Sequence, residues 1–143
     1  MRKFYLLWMW ALVLPLSCRG VLGISDSPEG VANDFVRHLY QLNFDPLSHL
    51  AQGSALEQVA LLEGHADAFS LTERQRYANS SVLVTEFSLN DQESEARAKY
   101  TLTFQDGQTL ENQITLQLID KRWQVVAFAT PLIEPHIYIY FED

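Results

Sequence analysis

Two polar residues near the middle of the chain have the types and spacing of a proton-transfer pair. His65 and Asp67 follow Gly64 with one residue between them, and a histidine held by a carboxylate can act as a general base. The alternative is that both side chains are solvated in a loop between helices. Tyr77 leaves a similar choice, since a tyrosine either projects into the mouth of a cavity or packs with its hydroxyl at the rim of a sheet. Asp67 and Tyr77 are therefore candidate catalytic residues.

Asn112 is the third candidate catalytic residue, because its amide stands on a strand face that is otherwise apolar. It shares that face with Leu110 and Ile114, so it points into a pocket unless a bulge turns it to solvent. The four histidines, at positions 38, 49, 65 and 136, lack metal-ligand spacing, and no Gly-x-Ser-x-Gly elbow or glycine-rich phosphate loop occurs. The sequence thus predicts no metal site and no cofactor.

The single cysteine, Cys18, follows an N-terminal segment with the layout of an export signal. Arg2 and Lys3 precede an apolar run at residues 4–16, which is shorter than the roughly 20 residues that span a bilayer. With no second cysteine, an intrachain disulfide is impossible. The residues before Cys18, with Leu14 upstream and Ser17 immediately before the cysteine, resemble the lipobox of bacterial lipoproteins. In a lipobox, the cysteine is lipidated and becomes the mature N-terminus. The resemblance implies acyl chains such as palmitate on Cys18.

Export also follows from the alternative, an ordinary secretory signal that is cut later, for example after Gly23. Removing Arg2 and Lys3 leaves 8 basic against 18 acidic side chains, so the net charge falls from −8 to −10. A domain this acidic repels phosphate backbones, which argues against nucleic acid as a partner. It also lacks a polybasic patch, so attachment to a membrane would depend on the acyl chains. We expect a location in the bacterial cell envelope, facing the periplasm or the exterior.

The first half of the domain is predicted to be helical, and its helices would position the candidate residues that precede the sheet. Each of four helix starts is marked by a capping residue, with a proline or a glutamate after it: Ser27-Pro28, Asp45-Pro46, Ser54 with Glu57, and Ser70 with Glu73. The corresponding predicted ends are Asn43, a point near residue 50, Gly64 and Tyr77. These elements open a domain at 27–130, which follows the signal at 1–18 and a tether at 19–26.

From residue 81 the hydrophobic period shortens to 2, which predicts four antiparallel strands at about 82–89, 96–104, 110–118 and 123–129. Asp106-Gly107 predicts a two-residue hairpin, and turns are predicted at 90–93 and 120–122. One face of this meander is free to pack on the helices. The predicted fold class is α+β, with helices on a curved sheet of four or five strands.

The C-terminal tail, residues 131–143, contains the β-prone run HIYIYF at 136–141. It forms a fifth strand on the edge of the sheet, or it stays exposed and pairs with a partner. Tyr138 and Tyr140 are its candidate binding residues.

Several of these signals together resemble one superfamily. They are Ser27-Pro28-Glu29 before an amphipathic helix, the hairpin Tyr100-x-Leu102-x-Phe104-x-Asp106-Gly107, and the closing Lys121-x-Trp123-x-Val125. This pattern, over residues 27–129, resembles the nuclear transport factor 2-like (cystatin-like) superfamily, and within it the poorly characterised small bacterial lipoproteins. The resemblance implies a cone-shaped fold, often dimeric through the sheet face, and no single activity.

Two classes of function are compatible with these observations. The first is a cell-envelope lipoprotein whose non-catalytic domain binds a protein partner or a small apolar ligand, on the concave face of the sheet or on the tail. The alternative is a small-pocket isomerase, dehydratase or hydrolase of the same superfamily, with polar groups drawn from Asp67, Tyr77 and Asn112. A structural role in an envelope assembly is a third expectation.

Overall fold

The computed structural model describes residues 26–130 and Leu132. The helices are α1 (Pro28–Tyr40), α2 (Phe44–Leu50), α3 (Ser54–Gly64) and α4 (Leu71–Ala78), with one 3₁₀ turn, Ala66–Ala68, before α4. The strands are β1 (Ser81–Leu89), β2 (Glu95–Thr103), β3 (Thr109–Ile119) and β4 (Arg122–Phe128). The predicted α+β class is confirmed. The predicted export signal with Cys18, the predicted tether up to residue 25, and the candidate binding residues Tyr138 and Tyr140 lie outside the described residues.

Two of the predicted helix starts have the expected capping geometry. The Ser27 hydroxyl accepts a hydrogen bond from the Gly30 amide at 3.1 Å, which satisfies one of the free N–H groups at the start of α1. At α4 the Ser70 and Glu73 side chains each bind the other residue's backbone N–H, so the capping box is complete. Helix α1 ends at Tyr40, before Asn43, because Leu42 has a positive φ of 52° that turns the chain out of the helix.

The predicted capping box at Ser54 and Glu57 is wrong. Helix α3 starts at Ser54 itself, with Gly53 at the cap position and a φ of 60° that favours glycine. The Ser54 hydroxyl instead donates to the Val126 carbonyl at 2.9 Å and ties α3 to β4. Helix α2 also starts earlier than Asp45-Pro46 predicts, with Asn43 at its cap position. At the start of α3, the long-range hydrogen bond of Ser54 to Val126 thus takes the place of the predicted local cap.

The four strands form one antiparallel sheet in the order β1-β2-β3-β4. Register shifts between Val84 and Glu86, and between Thr115 and Leu116, bend the outer strands. The β2–β3 hairpin differs from the prediction, since Phe104 N donates to Gln108 O and three residues, 105–107, form the loop. Asp120 and Lys121, with φ of 49° and 65°, form the β3–β4 turn.

Helix α1 lies against the inward face of the sheet, and this contact forms the centre of the core. Phe35 on α1 meets Phe128 on β4 edge to face, with ring centroids 5.0 Å apart. Alternate β2 residues Ala96, Ala98, Tyr100 and Leu102 are at most 1 % exposed. The outward face is polar, because the intervening positions on β2 and β3 include Arg97, Lys99, Glu111, Gln113 and Gln117. The inward face thus holds the residues that could form a buried site.

Candidate functional site

A cleft opens between the exposed side of α1, the end of α4 and the start of β1, with a volume of about 360 Å³. Its rim on α1 is polar, because residues three or four positions apart fall on one side of the helix. These rim residues are Asn33, Asp34, Arg37 and Gln41. Tyr40 and Tyr77 form the aromatic part of the lining, and Val82 lines the β1 side. The cleft thus combines a polar rim with an aromatic floor.

Three aromatic rings are packed in sequence, and the first two of them line the cleft. Tyr40 and Tyr77 stack with centroids 5.6 Å apart and an interplanar angle of 17°. Tyr77 meets Phe104 edge to face at 5.5 Å, and Arg76 lies over the Phe104 ring at 4.2 Å. Because the rings come from α1, α4 and the β2–β3 hairpin, this stack holds the floor of the cleft in a fixed position.

A chain of hydrogen bonds continues from Tyr40 into the core. Leu132 N donates to Thr130 Oγ1 at 3.3 Å, and Thr130 Oγ1 donates to the Tyr40 hydroxyl at 3.4 Å. The Tyr40 and Tyr100 hydroxyls are 2.9 Å apart, and Tyr100 donates to the Ala129 carbonyl at 3.0 Å. Since the Tyr100 proton is used on Ala129, Tyr40 must donate to Tyr100. All the donors therefore point in one direction along the chain, which links α1, β2 and the residues after β4.

Burial raises the pKa of each tyrosine in this group. For Tyr100 and Tyr77, burial is the largest cause of the raised pKa. The neighbouring Tyr40 is the second cause in both cases and raises the pKa further. For Tyr40, burial raises the pKa while hydrogen bonds to Thr130, Tyr100 and Asn112 act in the opposite direction. All three hydroxyls therefore stay protonated at neutral pH. They are suited to donating hydrogen bonds and unsuited to removing a proton.

The rim of the cleft carries charge of both signs. Arg37 Nη2 is 2.8 Å from Asp34 Oδ1, and the Arg37 side chain is 56 % exposed against 16 % for Asp34. A pair this exposed contributes little to folding, about 0–1 kcal/mol. The Arg37 guanidinium has five N–H donors, so donors remain for a group that enters the cleft. The rim therefore offers hydrogen-bond donors from Arg37.

The structure brings two of the three candidate catalytic residues close to Tyr40. Tyr77 stacks on the Tyr40 ring, and the Asn112 side chain interacts with the Tyr40 hydroxyl. Asn112 also lines a second cavity, of about 280 Å³, beside Lys99 and Glu111. Asp67 is fully exposed in the turn before α4, where Arg74 lies 3.6 Å from its carboxylate. Asp67 therefore has no part in the group around Tyr40.

Sequence analysis did not single out Tyr40, Tyr100 or Thr130 as site residues. Tyr40 and Tyr100 are 60 residues apart and Thr130 is 90 from Tyr40, so no local motif joins them. One signal was present, because each tyrosine stands on a face that is otherwise apolar. A buried tyrosine hydroxyl needs a hydrogen-bonding partner, which such a position implies.

The part of the chain that the structure describes contains neither a group of metal ligands nor a helix that could span a membrane. No three histidine, cysteine, aspartate or glutamate side chains there are grouped to hold a metal ion. Within the same residues, each helix is too short or too polar to span a bilayer. The candidate lipidation site Cys18 and the candidate binding residues Tyr138 and Tyr140 lie outside this part.

Comparisons with known proteins identify a fold. No protein-family model matches the chain, and no curated protein matches it. A crystal structure of a Campylobacter jejuni protein named as an NTF2-like transpeptidase superposes with a TM-score of 0.51 at 16 % identity, covering 71 % of this chain and 98 % of that one.

Two further solved structures are less similar. The intermembrane space region of the chloroplast protein ARC6 gives a TM-score of 0.49 at 10 % identity, covering 71 % of this chain and 91 % of that one. The SEC-C motif protein RPA3114 from Rhodopseudomonas palustris gives 0.46 at 15 % identity, covering 73 % of this chain and 79 % of that one. The likeness to the Campylobacter structure, together with the helices packed on a curved four-stranded meander, shows that this chain has an NTF2-like cone fold.

Proposed function

We propose that this protein is a bacterial envelope lipoprotein, anchored through Cys18, whose domain binds a protein partner without catalysis. The contact surface in this proposal is the cleft between α1, α4 and β1. The observation that carries it is the combination of an open polar rim with a stacked tyrosine floor. Protein-binding sites typically combine rigid aromatic side chains with hydrogen-bonding groups at their rim.

The chemistry of the cleft favours recognition over proton transfer. Tyr40 donates its proton to Tyr100, and burial keeps both hydroxyls protonated. Tyr40 is only 2 % exposed, so the aromatic surface that a partner's aromatic or proline side chain could contact is that of the partly buried Tyr77. The exposed Arg37 side chain offers hydrogen-bond donors to the partner's polar groups. A peptide segment satisfies both features better than a wholly apolar small molecule.

The outward face of the sheet is the second candidate surface, as a homodimer contact. It carries ion pairs between Lys99 and Glu86, at 2.7 Å, and between Arg97 and Glu95, at 3.3 Å. Charged residues are depleted at the centres of stable interfaces. The cleft is therefore the favoured surface, and a contact through the sheet face would be weaker and sensitive to salt.

Photo-crosslinking in the intact envelope tests the contact surface. A crosslinking side chain at Gln41, on the rim, is expected to give one discrete adduct, and the same group at Gln113, on the outward face, is expected to give none. Arg37→Glu should reduce the Gln41 adduct at least tenfold. Arg97→Glu is the matched control, because it makes the same charge change on the outward face. Equal adducts from both positions, or equal effects of both substitutions, would contradict the cleft as the surface.

The mass of the mature protein tests the anchor. Lipidation would leave an N-terminal Cys18 carrying the mass of its acyl chains, and Cys18→Ser would release the protein from the membrane fraction. An unmodified chain that begins after Gly23 would exclude lipidation while leaving export intact. The mass measurement does not depend on the crosslinking result. The anchor and the contact surface are therefore tested separately.

A further inference from the structure

The sheet has two edge strands, and one of them is covered. At the β4 edge, Gln52 N donates to the Val125 carbonyl at 2.9 Å, and Ala51 forms a parallel bridge with Val125. The Ser54 hydroxyl donates to the neighbouring Val126 carbonyl at 2.9 Å. Residues before α3 and at its start therefore occupy this edge, which leaves β1 as the edge strand on which another strand can pair.

A hydrogen bond at the β1–β2 turn shows which β1 residues face the free edge. Asn90 N donates to Glu95 O at 2.9 Å, and opposed residues of antiparallel strands alternate between bonded and unbonded pairs. The odd-numbered β2 residues are therefore the ones that bond to β1. Leu83 opposes one of these, so it bonds to β2. Val82 and Val84 oppose even-numbered residues, so their backbone N–H and C=O groups point away from β2.

The backbone groups of Val82 and Val84 have no hydrogen-bond partner among the described residues. The register shift after Val84 ends the regular part of the edge, which is Ser81–Val84. That stretch contains neither lysine nor proline, the residues that commonly protect an edge. The stretch is therefore a template for one more strand.

The side chains of this stretch favour an uncharged, apolar occupant. Leu83 is 66 % exposed on the outward face, and Val82 and Val84 are only partly buried on the inward face. Residues 77–85 carry no charged side chain, although the chain as a whole has a net charge of −8. Two copies of an acidic protein repel each other least where their contact is free of acidic groups. The β1 edge of a second copy has this composition.

We propose that β1 of a second copy pairs with this edge, antiparallel, about a twofold axis at Leu83. Val82 then opposes Val84 of the second copy, and the two residues exchange both N–H···O bonds because their backbone groups face the edge. Leu83 opposes Leu83 of the second copy in an unbonded pair, where opposed side chains come closest. The backbone groups and the apolar side chains of the edge are satisfied together.

Other symmetric registers satisfy the edge less well. Opposed residues of a pleated sheet lie on the same face, so the axis can move only in steps of one residue along the strand. An axis at Val82 would place Leu83 opposite Ser81 and Val84 opposite Ser80. An axis at Val84 would bring the pairing into the register shift. The axis at Leu83 is therefore the register that pairs apolar residues throughout the stretch.

The pairing closes at two copies, because it uses the same edge of both molecules. Val82 lines the cleft, so Val84 of the second copy would extend the wall of that cleft. This consequence rests on the proposed function. Since the regular stretch is short, we expect a weak dimer in solution. The proposed lipid anchor would strengthen the dimer by holding both copies on one membrane.

Disulfide trapping in the full mature protein with Cys18→Ser tests the position of the axis. Leu83→Cys should form a disulfide-linked dimer with diamide as oxidant, because opposed Cα atoms of an unbonded pair lie about 4.5 Å apart. Thr101→Cys is the matched control, since Thr101 stands beside Leu83 on the next strand. Three strand spacings, about 14 Å, would separate the two copies of that cysteine, so it should give no dimer. Equal trapping at both positions, or none at Leu83→Cys, would overturn the proposal.

Sedimentation of the unlipidated mature protein tests the dimer itself. The protein should pass from monomer to dimer between about 10 µM and 1 mM, the range of a weak contact. Leu83→Lys should weaken this association at least tenfold, because it places like charges opposite each other. Leu118→Lys is the matched control, since Leu118 is also exposed but lies on β3. A protein that stays monomeric over this range, or equal effects of both substitutions, would overturn the proposal.

Amide exchange distinguishes a second copy from pairing within one molecule. The Val82 and Val84 amides should exchange at least tenfold more slowly in the dimer than in the monomer, while the Leu83 amide, bonded to β2, should be protected in both. Slow exchange of Val82 and Val84 in a monomer would overturn the proposal. A Gln41 adduct that persists in Leu83→Lys would leave partner binding intact without the dimer. Trapping at Leu83→Cys without any Gln41 adduct would support the dimer and contradict partner binding at the cleft.

Discussion

Tyr100→Phe removes one oxygen from the hydrogen-bond chain, so that the Tyr40 hydroxyl loses its acceptor and the Ala129 carbonyl loses its donor. The Tyr40 hydroxyl, on a side chain that is 2 % exposed, loses its acceptor, which costs about 1–3 kcal/mol for a buried polar group. The Ala129 carbonyl loses its donor but is only part-buried, so water limits that cost to about 0.5–1.5 kcal/mol. We expect a loss of about 2–3 kcal/mol, a large share of the ~5–15 kcal/mol that stabilises a typical domain.

Urea unfolding and thermal melting of the mature protein measure this loss. At about 4 °C per kcal/mol for a domain of this size, the melting temperature should fall by about 8–12 °C. Tyr77→Phe is the matched control, because the Tyr77 hydroxyl makes no hydrogen bond with the described residues, and its cost should stay below about 0.5 kcal/mol. If Tyr77→Phe and Tyr100→Phe destabilise equally, the hydrogen-bond chain is not the cause and the reasoning fails.

Three further perturbations test local features of the fold. Lys121→Gly should raise the free energy of unfolding by about 0.5–1 kcal/mol, because glycine relieves the φ of 65°, whereas Lys121→Ala should leave it nearly unchanged in the same urea titration. Ser70→Ala should lower it by about 1 kcal/mol through loss of the cap on α4, and Thr72→Ala in the same helix should not. Burial, and after it the nearby Arg37, lowers the pKa of His38 below its ordinary value of 6.5. The unfolded state therefore binds a proton at a higher pH than the folded state does. The free energy of unfolding should consequently fall as the pH drops through 6.5. The urea midpoint of His38→Gln should change less between pH 7.5 and 5.5 than that of the unaltered protein, and equal changes would contradict this cause.

The elements of the fold were predictable where a local signal determines them. Ser27 and Pro28 predict the start of α1, and Ser70 with Glu73 predicts the start of α4, because a cap acts over three or four residues. The period of 2 after Ser81 predicts four strands, because alternation is a property of each strand by itself. Near neighbours in the sequence decide all of these features.

The arrangement of the site was not predictable, because distant residues decide it. Ser54 carries a plausible capping signal, yet its hydroxyl binds Val126, 72 residues away. Asn112 left a choice between a pocket and solvent, and the structure places it beside Tyr40 because the register of β3 keeps residues 110, 112 and 114 on one face. Tyr40 itself looked like one more apolar position on a helix. Its role depends on three hydroxyls that only the tertiary fold brings together.

The hydrogen-bond chain also has a consequence for the order in which the domain can be completed. Helix α1 is the first of the described helices to leave the ribosome, yet Thr130, the partner of Tyr40, follows 90 residues after Tyr40. Contacts between such distant positions form late, because a long loop must close first. Tyr40 lacks its acceptor on β2 until Tyr100 has emerged, and it lacks its donor after β4 until Thr130 has emerged. A partly synthesised chain therefore lacks the hydrogen bonds that hold the end of α1 in the complete domain.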